Sequence, residues 1–109
     1  LIPHYAQRLD SLLKTFRLIT NNDTLPIVLG ELGTYAQPNE KQMQWDAINT
    51  VLNNIAIKDE GIALVKTGDL KHKGDYLHFN AESLRKLGER YAVKYLELIK
   101  PTYHNAAIK

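Results

Sequence analysis

Leu25-Pro26-Ile27-Val28-Leu29-Gly30-Glu31-Leu32 is a short, almost continuous apolar run with a proline near its start. A run of this length without polar alternation reads as a strand covered on both faces, the pattern of a parallel sheet, and proline is tolerated at a strand's first residues. Ile62-Ala63-Leu64-Val65, opened by Gly61, repeats the pattern. Between the two runs, Gly33 and Pro38 mark a loop, and Asn39 can cap a helix with Gln42 answering three residues later. Ile48, Val51, Leu52 and Ile55 continue that helix's apolar stripe, which predicts a helix over about residues 40–57. Two buried strands joined through a helix predict a parallel pair and a three-layer α/β/α arrangement.

The flanks fit the same reading. Tyr5, Leu9, Leu12, Leu13, Phe16 and Ile19 recur at spacings of three and four, which predicts a helix with one buried stripe, stopped by Asn21-Asn22-Asp23. Behind the second strand, Gly68 and Gly74 bound a polar loop that holds Asp69, His72, Asp75 and His78. Asn80 is a good N-cap for a last helix, with Phe79 and Leu84 spaced as a hydrophobic staple and Leu87, Tyr91, Tyr95 and Leu98 on the buried side. Pro101 is expected to end it. Two strands cannot make a whole sheet, because an edge would keep unpaired backbone groups. Further strands are therefore expected from an N-terminal part of the same protein, from a second chain, or from the partner in a homo-oligomer. The start at Leu1 in place of a methionine favours the first.

Composition narrows the function classes. The chain of 109 residues is 44% apolar and carries 14 basic against 12 acidic residues, spread along its length without a basic stripe. That is one domain's worth of chain, and no nucleic acid is expected as its main partner. No apolar run reaches the roughly 18 residues of a membrane span, and Leu1-Ile2-Pro3-His4 lacks the marks of a signal peptide. There is no cysteine, which excludes disulfides and thiolate metal sites but leaves secreted, periplasmic and cytoplasmic locations open.

In open α/β sheets ligands bind beyond the carboxyl ends of the strands, and the loop from Thr67 to His78 leaves such an end. Within it, Asp75-x-x-His78 stands directly before a capped helix, and three residues let the carboxylate curl back to the imidazole. Such a pair works as base and orienter: Asp75 accepts the Nδ1 proton, and Nε2 of His78 takes a proton from a nucleophile. A lone D-x-x-H is more often a histidine capping a loop.

Gly74-Asp75-Tyr76-Leu77-His78-Phe79, followed by Leu87-Gly88-Glu89-Arg90-Tyr91-Ala92, resembles the C-terminal signature of SGNH (GDSL-type) hydrolases. The likeness is closest to their carbohydrate-esterase branch, the sialate O-acetylesterase and acetylxylan esterase-like proteins. Leu25 to Gly33 looks like the strand that precedes this signature, and Tyr5 to Arg17 like the helix before it. The resemblance implies a flavodoxin-like three-layer sandwich and a Ser-His-Asp esterase that removes acetyl groups from carbohydrates with no metal or other cofactor. It carries Asp75 and His78 onto two triad positions. The family's nucleophile lies in a G-D-S or G-Q-S-N block, and its oxyanion donors in later Gly and Asn or Gln blocks; this chain has none of them. Ser11, in a helix pattern, and Ser83, in the first turn of the last helix, lack the strand-to-helix setting of a nucleophile. The chain is therefore expected to be the C-terminal half of one esterase domain, inactive alone, with its serine in a missing N-terminal segment or a second chain. The opposing reading is a non-catalytic binding or assembly module derived from that fold.

Other residues carry weaker alternatives. His72, Asp75 and His78 form an imidazole and carboxylate set for zinc, but Lys71 and Lys73 beside His72 oppose a cation, and a solvated loop residue or substrate-rim contact is the better reading. Asp69 competes with Asp75 as orienting acid and reads better as a turn residue. Glu31 faces the pocket or caps the loop that follows it. Tyr35 and Trp45 could form a platform for a sugar ring, though Trp45 reads better as packed core. His4 and His104 read as surface residues, and Gly30 and Gly33 make no phosphate loop.

Overall fold

A computed structural model of the protein describes residues 2–108, with side chains described for residues 2–100. Five elements follow one another among the described residues: α1 (Ile2–Ile19), β1 (Ile27–Gly30), α2 (Asn39–Lys58), β2 (Ile62–Val65) and α3 (Ala81–Ile108). The two apolar runs pair in parallel, Ile27 opposite Ile62 and Gly30 opposite Val65. Hydrogen bonds at both ends of the ladder hold this register: Ile27 N–H donates to Gly61 O at 2.9 Å and Glu31 N–H to Val65 O at 3.1 Å. α2 and α3 each pack on both strands and not on each other, so they cover opposite faces of the pair, and α1 packs on α2. The chain is thus α/β, with the layering of part of a three-layer α/β/α sandwich.

The core is small. It consists of Leu13 from α1, Val51 and Leu52 from α2, Ile62 and Val65 from β2, and Ala36 and Leu70 from the loops. At the amino ends of the strands, the Arg17 guanidinium donates to Leu25 O at 3.1 Å and pairs with Asp59, tying the end of α1 to the segments that lead into β1 and β2. Gly61 permits this approach, since a Cβ there would lie 2.8 Å from an Arg17 nitrogen.

Several local expectations are corrected. The four residues of β1 are half-buried instead of fully covered, because a described strand lies along one of its edges only. Of the apolar stripe on α1, Leu13 is buried while Leu12, Phe16 and Ile19 are exposed, since α1 meets α2 and not the sheet. Asn39 is already helical: Pro38 occupies the cap position without a side-chain bond, and Gln42 turns back into the preceding loop to accept from Ala36 N–H at 2.7 Å. Asn80 does cap α3, its Oδ1 accepting Ser83 N–H at 2.8 Å, but Leu84 is exposed where the staple was expected to cover it. Pro101 does not end α3, which runs on to Ile108; a proline removes one intrahelical donor and can bend a helix without stopping it.

Candidate active site

The carboxyl ends of the two strands are joined by polar side chains. Glu31 accepts Thr67 N–H at 3.2 Å through Oε1 and the Asn53 amide at 3.0 Å through Oε2, so this carboxylate braces the sheet end against α2. The buried Thr67 donates its hydroxyl to Leu32 O at 2.8 Å. Asn49 makes the matching pair of bonds to the N–H and C=O of Leu32. The loop that leaves β2 therefore starts from a fixed point.

Further along, Asp69 takes a two-toothed hydrogen bond from Arg90 of α3, at 2.8 and 2.6 Å, and the guanidinium also reaches Lys66 O at 3.0 Å. The paired guanidinium holds the Asp69 carboxyl down to about 2. Asp69 is thus an anchor for α3 and not the orienting acid. Ser83, buried at 4% exposure, accepts Lys71 N–H at 2.8 Å, while Ser11 stands on the exposed side of α1. Among the described residues neither serine makes a hydrogen bond to His78.

Residues 71–80 form a small hairpin. His72 and Phe79 make an antiparallel bridge, Lys73 N–H donates to His78 O at 2.9 Å, and Asn80 N–H to Lys71 O at 2.8 Å. At its tip the backbone turns through the left-handed region at Gly74 (φ 115°) and again at Tyr76 (φ 56°), where a residue with a Cβ is disfavoured. The tip brings Asp75 and His78 together: Nδ1 of His78 lies 2.7 Å from Asp75 Oδ2. The other oxygen, Oδ1, accepts Leu77 N–H at 3.0 Å and His78 N–H at 2.9 Å. The bond from the imidazole, then the N–H groups of His78 and Leu77, hold the Asp75 carboxyl well below the usual carboxylate range. An ionised Asp75 accepting at Nδ1 leaves the lone pair of a neutral imidazole on Nε2. The His78 side chain is 65% exposed, and its Nε2 has no hydrogen-bond partner among the described residues. The pair can accept and return a proton at a surface-facing atom.

Sequence reasoning missed two contributors. His72 is half-buried and not a solvated loop residue: its Nδ1 accepts Gly74 N–H at 3.0 Å and Tyr76 N–H at 3.1 Å, and its ring stacks on Tyr76 with centroids 4.2 Å apart. That nitrogen is therefore occupied, and among the described residues no three His, Asp or Glu side chains are grouped to hold a metal. Tyr35 donates its hydroxyl to Leu77 O at 3.2 Å and lies edge-on to Trp45 and Phe79. Burial, then the Asp75 charge, push the Tyr35 phenol up. The glycine before Asp75 was the one local signal of a left-handed turn; nothing in the spacing marked His72 or Tyr35 as its supports.

A concavity of about 560 Å³ lies between α1 and α2 and is lined by Leu13, Arg17, Val51, Ile55 and Asp59. It sits toward the amino ends of the strands, whereas His78 stands on the loop beyond their carboxyl ends. Among the described residues no helix is long and apolar enough to cross a membrane. A family model described as carbohydrate esterase, sialic acid-specific acetylesterase matches residues 2–97. No curated protein and no solved structure matches the chain.

Proposed function

Since the chain belongs to the carbohydrate esterase family of sialic acid-specific acetylesterases, we propose that it supplies the acid and base of a serine esterase that removes acetyl groups from carbohydrates. His78 is the base and Asp75 its orienter. The observation that carries this reading is the 2.7 Å bond from His78 Nδ1 to an Asp75 carboxylate that stays ionised, with Nε2 left without a partner among the described residues.

In this mechanism Nε2 takes the proton of a serine hydroxyl as the oxygen attacks the acetyl carbonyl. The imidazolium so formed is stabilised by Asp75, which keeps its own charge. His78 then returns the proton to the departing sugar oxygen, leaving an acetyl-serine. A water deprotonated by the same nitrogen releases acetate and restores the serine.

The serine and the oxyanion donors come from outside these 109 residues, in an N-terminal segment of the same domain or a second chain, because the sequence has no G-D-S or G-Q-S-N block. Losing one oxyanion donor alone lowers rate by about 10²–10³, so the chain by itself is inactive and represents the C-terminal half of the catalytic domain. The half-buried β1 and the uncovered apolar face of α1 support a further strand and its helices packing there. The test is hydrolysis of p-nitrophenyl acetate and of O-acetylated sialic acid and xylan by the complete protein and by the 109-residue chain. Activity of the first and not the second is expected. Absence of activity in both favours a non-catalytic module.

A further inference from the structure

We propose that His72 is a positioning residue of this reaction: its neutral imidazole, protonated at Nε2, holds the turn from Gly74 to Tyr76 through Nδ1 and so aims Asp75 and His78. The proposal rests on the reading of Asp75 and His78 as the catalytic pair.

Three observations carry it. First, the turn that bears Asp75 contains a conformation that a residue with a Cβ disfavours, since Tyr76 takes φ 56°. Such a conformation persists only where its surroundings hold it. Second, a single atom, Nδ1 of His72, accepts both the Gly74 and Tyr76 N–H groups on either side of Asp75. The His72 ring also lies against the Tyr76 ring and within 5.1 Å of the Tyr35 centroid, so it cannot rotate without losing both contacts. Third, the next two N–H groups, of Leu77 and His78, close on Asp75 itself. The hairpin is thus a relay of two acceptors, with His72 fixing the peptide units around Asp75 and Asp75 fixing those before His78. An acceptor at Nδ1 requires that this nitrogen carry no proton.

The geometry separates two substitutions. Asn places Oδ1 where His places Nδ1, two bonds from Cβ, and keeps an acceptor; Leu places a methyl group there. In the complete protein His72→Leu is expected to lower kcat by up to about 100-fold, the scale of a misplacement of about 1 Å. KM should change little, and the downfield proton resonance of the Asp75–His78 bond should broaden or vanish. His72→Asn should recover most of the rate and the resonance. A residue that merely stabilised the fold would not split kcat from KM or respond to acceptor rescue. Wild-type kinetics in His72→Leu, beside an inactive His78→Ala, would overturn the role of His72 alone. An active His78→Ala would overturn the catalytic pair and the role of His72 with it. If His72→Leu does not fold, ¹⁵N spectra of the wild-type imidazole decide: an unprotonated Nδ1 supports the inference, and a protonated Nδ1 contradicts it.

Discussion

Nδ1 of His78 and Oδ2 of Asp75 lie 2.7 Å apart across a turn whose own N–H groups close on the second oxygen of the same carboxylate. One carboxylate therefore both closes the half of the turn before His78 and holds the imidazole at Nδ1. Asp75→Asn in the complete protein should lower kcat by about 10⁴-fold, as expected when a base is left in the wrong tautomer. Steady-state kinetics on an acetyl ester measures it, and a loss confined to KM would contradict the orienting role.

The depressed Asp75 carboxyl has a definite pH signature. Because its folded value lies below the unfolded one, its contribution to the loop is complete above the ordinary aspartate range near pH ~4 and is lost as pH falls further. A ¹³C titration of the Asp75 carboxyl should show no inflection between about pH 3 and 5, where unperturbed aspartates titrate. An inflection in that range would mean that the bond to His78 does not form in solution.

Asp69 and Arg90 anchor α3 to the loop by paired hydrogen bonds, and Lys in place of Arg cannot reproduce that fork. Arg90→Lys should lower Tm at neutral pH. With Asp69 held down to about 2 against an ordinary 3.8, the contribution of the pair is present above the ordinary value and lost as pH falls through the lower one. The Tm difference between variant and wild type should therefore shrink between pH 4 and pH 2, the range set by these two values. Thermal melts across that range check it.

Gly30 leaves room for Tyr91: a Cβ there would overlap the phenol oxygen and come within 2.8 Å of Cζ. Gly30→Ala should destabilise the protein by about 1–3 kcal/mol, the usual cost of overpacking. Adding Tyr91→Ala should cost less than the sum of the two single changes, which a double-mutant cycle in urea would measure.

Much of this was legible in local sequence, and most of the failures share a cause. The second strand, Ile62–Val65, and the cap at Asn80 follow from a contiguous apolar run and a bond three residues long. The match of Gly74 to Phe79 and Leu87 to Ala92 with a hydrolase signature agrees with the family found. What stayed hidden depends on contacts between distant segments: the Asp69–Arg90 anchor, the Tyr35 bond to Leu77, and the exposure of Leu12 and Phe16 on a helix that packs on α2 and not on the described strands. His72 was hidden for another reason. Its partners are backbone N–H groups whose direction is set by the φ angles at Gly74 and Tyr76, and side-chain periodicity carries no record of them.

The uncovered apolar side chains of α1, Leu12, Phe16 and Ile19, with Val93 and Leu96 of α3, give the isolated chain adhesive surfaces. The 109-residue chain should self-associate in light scattering, and joining it to the proposed N-terminal segment should yield a discrete species. A well-behaved monomer of the chain alone would contradict the proposal that these faces pack on further chain.

His78→Ala in the complete protein, assayed on p-nitrophenyl acetate, tests the central claim most directly. Loss of a catalytic base of this kind should lower kcat by at least about a hundredfold, with the fold intact by circular dichroism. Retention of wild-type hydrolysis in His78→Ala would show that the Asp75–His78 pair does not perform the chemistry.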